Sequence, residues 1–444
     1  MNFKHSLLAL SLSVGLSGWA AAATLQEVVV DNINQNPEVQ QALQSYAAVI
    51  QEIRQAKAGY YPTLDATLGY GYEWTDKEFP ENRDDTELNR REARLNLNQM
   101  IFDGFATSSE VKRQQARAAS RASNYKDTAQ RYVLASSRAY LEVQRREQLL
   151  QLARESLYNH VTLYDQIRRR SESGMGTLAS LQQAEGRLAL SEVNMLAAEN
   201  NLRDAQANYR RVVGQPVPDT LEAFDSSVLV LPETLDAAIE KGLANQPVAS
   251  LAQADVEATL AQRDAAKSRM YPRLDFEVER RWDENIDGTP GDDEDLTAML
   301  RLRYNLFNGG ADKARIRQTE HQIGEAQAIQ RDAQRQIRES VELSWNAYEI
   351  LQRQLEYLEK HVRSSEDTRD SYKKQFDIGQ RSLLDLLDTE NEVFSAKNQL
   401  ADARIDSEIA KLRILTGTGE LLDALEVALP PVEETSPQVA ASAQ

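Results

Sequence analysis

The chain has 444 residues, with 51 Lys and Arg against 69 Asp and Glu, a formal net charge of −18. So acidic a chain, with no local basic patch, does not grip a nucleic-acid backbone. The absence of cysteine excludes a disulfide or a lipid-bearing thiol, and 19 Gly and 12 Pro beside 27% charged residues favour long solvated helices.

Residues 1–23, MNFKHSLLALSLSVGLSGWAAAA, read as a signal peptide. Lys4 supplies the positive end, Leu7 to Leu16 the apolar run, and Ala21 and Ala23 the small residues before a cut ahead of Thr24. No later run reaches the ~18 apolar residues of a membrane-spanning helix. An exported chain of this kind stays soluble or enters a membrane as a β-barrel.

Beyond residue 23 the chain repeats itself. AKAGYYPTLD at Ala56–Asp65 returns as AKSRMYPRLD at Ala266–Asp275, offset by 210 residues. Helices are expected to begin at Asn36-Pro37 and Pro247 and to stop at Tyr-Pro, because the residue before a proline is pushed to extended geometry. Pro62 and Pro272 thus mark two helix–strand junctions. Period two then takes over. Leu64, Ala66, Leu68, Tyr70, Tyr72 and Trp74 alternate with Asp65, Thr67, Gly69, Gly71 and Glu73. Leu274, Phe276, Val278 and Trp282 alternate with Asp275, Glu277, Glu279 and Arg281. After polar stretches TDKEFPENRDDTELNR and DENIDGTPGDDED, two more alternating runs close at IFDGFAT and LFNGGAD, with Thr107 and Asp312 as expected helix caps. These are two hairpins, each with one apolar face and one charged face suited to a water-filled lumen.

Two long helices come next. Phe105–Glu172 has no Gly or Pro, and Gly310–Ile378 has one internal glycine, Gly324. Each is about 70 residues, ~100 Å at 1.5 Å per residue. Their apolar stripes step by four and three, as in coiled coils. Glycine turns, SESGMGTLASL and FDIGQRSLLDLL, end them. Shorter helices of about 35 residues then run back to Gly214 and Gly417. The expected organisation is a first repeat at 24–214, a Pro-rich linker at 215–234, a second repeat at 235–429 and a tail of disordered composition at 430–444.

Four strands cannot close a barrel, and bare edges in lipid cost several kcal/mol per backbone group. Three chains supply twelve, within the range of bacterial barrels. On these features, the two-fold repeat, the YP-x-L-D junctions, the F-x-G strand ends and both glycine turns, the chain resembles the TolC family of outer-membrane channels. The resemblance covers residues 24 to about 429. It implies a mainly α protein with membrane β: a homotrimer with a twelve-stranded barrel in outer-membrane lipid and a helical tunnel through the periplasm. It further implies a periplasmic adaptor and an inner-membrane ABC transporter or proton-driven pump as partners.

The best local match is FDIGQRSLLDLLD, Phe376 to Asp388. By the resemblance, Asp385 and Asp388, at i and i+3 on one helix face, line the narrowest ring of the tunnel. Six carboxylates so gathered favour cations and bind multivalent ones. Arg381 matches a basic residue in the links that hold the tip closed. Two positions depart from the pattern. Phe376 stands where the family has a tyrosine, and Ser180 where it has a carboxylate, so a looser or differently wired gate is expected. The turns at Gly174, Gly176, Gly379 and Ser382 are, by resemblance, where the adaptor docks.

No G-x-x-x-x-G-K-[ST], H-E-x-x-H or G-x-S-x-G motif is present. No enzymatic activity, cofactor or metal site is expected. The expected function is an exit duct for type I secretion of a large adhesin or toxin. The alternatives are a small-molecule efflux duct and, as a different class, a soluble periplasmic coiled-coil adaptor.

Overall fold

The computed structural model describes residues 23–78, 83–226 and 229–430. The signal peptide, apart from Ala23, and the tail from residue 431 lie outside the described residues. Helices α1 (Leu25–Ile33) and α2 (Pro37–Ala58) lead into strands β1 (Thr63–Glu78) and β2 (Arg83–Phe102). Then come α3 (Ala106–Glu172), α4 (Leu178–Val213), α5 (Leu235–Asn245) and α6 (Pro247–Lys267). Strands β3 (Arg273–Ile286) and β4 (Thr289–Arg303) precede α7 (Ala311–Asp377), α8 (Leu383–Thr418) and the short α9 (Leu421–Ala424). The repeat is visible in the lengths: α3 and α7 have 67 residues each, α4 and α8 have 36.

Local chemistry explains the boundaries. Asn36 caps α2, its side-chain oxygen accepting from the Glu38 and Val39 amides at 3.0 and 3.1 Å. Both helices stop short of the prolines. α2 ends at Ala58, and α6 ends at Lys267 with one 3₁₀ turn to Met270, so Pro62 and Pro272 each sit directly before the first strand residue. Thr107 is not the cap of α3. The Asp103 carboxylate accepts from the Thr107 amide at 2.7 Å, because Gly104 and Phe105 turn through positive φ (67° and 70°) and swing it over the helix end.

The four strands form one antiparallel sheet in chain order β1-β2-β3-β4. Pairing of β2 with β3, Ala93 opposite Trp282 and Leu97 opposite Val278, joins the two repeats. Among the described residues, which leave out 79–82, the polar stretches after the first strand of each hairpin are ladder rather than loop. β3 and β4 are joined by Asp287-Gly288, both at positive φ (54° and 72°). That is a two-residue primed turn, which lets both strands run to the tip. One face carries exposed Leu68, Tyr70, Tyr72, Trp74, Leu296, Leu300 and Leu302. Arg280 shares that face, its guanidinium 5.2 Å from the Trp282 ring. The other face is an ionic lattice. Asp275, fully buried, accepts from Arg273 and Arg303 at 2.9 and 2.8 Å, and Glu73 from Arg90 at 2.7 Å.

The chain divides into two compact units that do not follow the repeat, since each draws on both halves. One comprises residues up to 32, 135–229 and 352–409, and the other 33–134, 230–351 and 410 onward. In the first, the linker is tied down. Ala23 bridges Leu221, and the Tyr140 hydroxyl lies 2.9 Å from the Ala23 carbonyl and 2.5 Å from that of Glu222. In the second, a small core gathers Ala238 and Ile239 of α5 on Val341 of α7, with Trp345 against it.

The sheet's outer strands, β1 and β4, are open edges. Ile329, Leu343, Ile350 and Tyr357 of α7 are exposed at spacings that are multiples of seven. A heptad row of this kind is a seam for another helix.

Candidate functional site at the two helix reversals

The unit built from α4, α8 and the later parts of α3 and α7 holds both glycine turns, and they are made alike. α3 ends at Glu172, Gly174 takes φ 76°, and the Met175 amide donates back to the Arg170 carbonyl at 2.9 Å. α7 ends at Asp377, Gly379 takes φ 77°, and the Gln380 amide donates to the Gln375 carbonyl at 2.8 Å. This is the left-handed closure that glycine serves at a helix C-terminus. A hydroxyl then starts the returning helix. Thr177 accepts from the Ser180 amide at 3.1 Å, and Ser382 from the Asp385 amide at 3.2 Å. Gly176 has ordinary φ but a tight setting. An added Cβ would lie 3.1 Å from the Ser171 nitrogen.

Behind the turns lies a cluster of Leu163 and Ile167 of α3, Ala184 of α4, Phe376 of α7, and Leu383, Leu386 and Leu387 of α8, all buried. Phe376, without a hydroxyl, uses its ring. It packs in this cluster and seats the Arg170 guanidinium 4.5 Å from its centroid. Arg170 also reaches the Phe376 and Asp377 carbonyls at 3.5 Å, placing a cation on the C-terminal carbonyls of α7. Arg381 lies 3.7 Å over the Tyr372 ring and 3.7 Å from the Asp385 carboxylate. Ser180 faces its own cap, its hydroxyl 2.9 Å from that of Thr177.

Asp385 and Asp388 both lie on the exposed side of α8, 42% and 57% exposed at the side chain, so their carboxylates reach solvent. Asp388 is not alone. Arg187 of α4 donates to it at 2.7 Å. Sequence reasoning missed Arg187, Arg170 and Tyr372. Arg170, a basic residue in the last turn of α3, carried a local signal. Arg187 carried none, because its partner is set by how α4 packs on α8. Among the described residues, no group of His, Asp and Glu could hold a metal ion, and no helix is long and apolar enough to cross a membrane.

A sheet with one apolar face and two open edges, joined in one chain to two pairs of long reversed helices, fits a subunit of a membrane β-barrel closed between chains. The chain belongs to the outer membrane efflux protein family, whose model matches residues 28–215 and 238–420, one stretch for each repeat. It is similar to the outer membrane efflux protein BepC of Brucella suis, 25% identical and covering 74% of this chain and 72% of that protein. It is 24% identical to the outer membrane protein TolC of Escherichia coli, over 97% of this chain and 90% of that one. To the alkaline protease secretion protein AprF of Pseudomonas aeruginosa it is also 24% identical, over 91% and 86%. Its fold matches a crystal structure of CusC with a TM-score of 0.79 at 16% identity, covering 89% of this chain and 92% of that one.

The protein is therefore a TolC-family component of the Gram-negative outer membrane, with its helical part in the periplasm. It is an exit duct of tripartite export. Channels of this family are homotrimeric and work with an adaptor and an inner-membrane transporter.

Proposed function

We propose that this chain is the outer-membrane duct of a type I secretion system, passing a protein such as a large adhesin or toxin. The observation that carries the reading is the likeness, over nearly the whole chain, to a protein named for alkaline protease secretion. The lack of any cysteine, and so of a lipid-anchoring thiol, leans the same way. In this reading three chains close a twelve-stranded barrel, and Asp385 and Asp388 of each form the periplasmic constriction. Arg381, Phe376 and Ser180 belong to the gate links. An adaptor docks at the turns around Gly174, Gly176, Gly379 and Ser382, and an ABC transporter drives export. Pro62 and Pro272 mark the seam between tunnel and barrel. The duct itself catalyses nothing and needs no cofactor.

The likeness to BepC, named as an efflux protein, favours a second reading, a duct for small molecules. A soluble adaptor finds no support in the family match. Comparing proteins released by a deletion strain and its parent separates the two ducts. Loss of one large protein from outside, with its accumulation inside, supports secretion. An unchanged profile with slowed dye and antibiotic export supports efflux and removes the secretion reading. For the gate, Arg381→Ala should raise the conductance of channels in planar bilayers, and unchanged conductance would remove Arg381 from the links.

A further inference from the structure

We propose that Arg187 sets the ion preference of the constriction by neutralising Asp388 from within the same chain. The proposal rests on the reading that Asp385 and Asp388 face the lumen. It starts from one contact that has no counterpart in the sequence pattern. Ala184 of α4 packs into the buried cluster with Leu386 and Leu387 of α8. That packing fixes the register of α4 against α8. Arg187 is one helical turn beyond Ala184, and Asp388 directly follows Leu387. The same register therefore brings the Arg187 Nη2 to 2.7 Å from the Asp388 Oδ1.

The second aspartate is held differently. Arg381 lies 3.7 Å from Asp385, but its guanidinium is also stacked on Tyr372. Each carboxylate of the pair thus has an arginine of its own chain beside it, and the four groups sum to no net charge. A half-exposed ion pair adds little to folding stability. Its effect on the local potential does not depend on that. A countercharge at hydrogen-bond distance cancels most of a carboxylate's field a few ångströms away. Repeated around a trimer, the six carboxylates become six ion pairs instead of an open anionic ring. Attraction for cations and binding of multivalent cations fall accordingly. In the first repeat, the neutral Ser180 occupies the place that Asp385 has in the second.

The experiment is a charge cycle at the pair, read as reversal potential and as half-blocking concentration of a trivalent cobalt ammine complex, in planar bilayers with purified trimers. Arg187→Gln uncovers one negative charge per chain and should lower the half-blocking concentration about tenfold. Asp388→Asn leaves Arg187 uncompensated and should shift selectivity away from cations. The double variant restores the balance and should return to the wild-type value, as should Arg187→Lys. Asp385→Asn is the check on the underlying reading. If it and every other variant leave block and selectivity unchanged, the carboxylates do not line the lumen and the reading itself falls. If Asp385→Asn and Asp388→Asn alter block while Arg187→Gln does not, the constriction stands and the role of Arg187 is overturned.

Discussion

Gly104 closes the junction between β2 and α3, and replacing it with alanine separates two costs. The first is backbone strain. At φ 67°, a residue with a Cβ loses about 1–2 kcal/mol. The second is crowding. The new Cβ would collide with the Ser268 carbonyl oxygen and lie 2.8 Å from the Tyr271 Cβ. Neither can retreat cheaply, since Ser268 is backbone at the end of α6, and Tyr271 meets the Phe105 ring edge-on at 6.0 Å. Overpacking of this kind costs about 1–3 kcal/mol more. Gly214→Ala is the reference. Its φ is 92° and nothing lies within 4 Å of an added Cβ, so it carries strain alone. Urea unfolding of the detergent-solubilised trimer, with the yield of SDS-resistant trimer from outer membranes, should rank Gly104→Ala below Gly214→Ala. Equal losses in the two variants would refute the packed seam between helix ends and sheet.

Leu386 has no exposed surface and sits in the cluster behind the turns, so Leu386→Ala should cost about 2–5 kcal/mol. The loss should appear as faster amide exchange at the start of α8 and the end of α3. Leu384→Ala, at a side chain 44% exposed, should change exchange little. Asp127 of α3 has its carboxyl pushed above the usual range, chiefly by burial, against the opposing pull of Arg131. Its folded-state pKa exceeds the unfolded one, so the folded state binds the proton more tightly. Its unfavourable contribution is therefore present at neutral pH and fades as pH falls through the raised value towards ~3.9. Asp127→Asn should unfold at higher urea than wild type at pH 7.5, with the gap closing near pH 4. A gap that widens on acidification contradicts the desolvation account.

Much of the fold was legible because its signals are local and doubled. Prolines, positive-φ glycines and switches from period four-three to period two mark each element, and the second copy checks the first. Two polar stretches were harder to place. Composition reads them as loop, yet an antiparallel hairpin needs only its partner strand, and the Asp287-Gly288 dipeptide was the overlooked cue for a tight turn. The cap at Asp103 was hidden for a related reason, since its place over α3 depends on two left-handed residues that come after it. At the helix reversals, the turns and the two aspartates could be read from FDIGQRSLLDLLD. Their partners could not. Which arginine meets Asp388, and which ring receives Arg381, depends on helix packing that no spacing within one segment records.

If three chains close the proposed barrel, β4 of one pairs with β1 of the next. The repeat supplies the register. Ala298 stands in the second half where Ala93 stands in the first, and Tyr72 where Trp282 stands, and Ala93 is opposite Trp282 within the chain. The chain has no cysteine of its own, so a Tyr72→Cys, Ala298→Cys double variant offers one clean pair at directly opposed strand positions. Mild oxidation in native outer membranes should link three chains covalently, seen as a reducible trimer band on a denaturing gel, with neither single variant doing so. A double variant that stays monomeric after oxidation, while fully inserted, would contradict closure in this register between neighbouring chains.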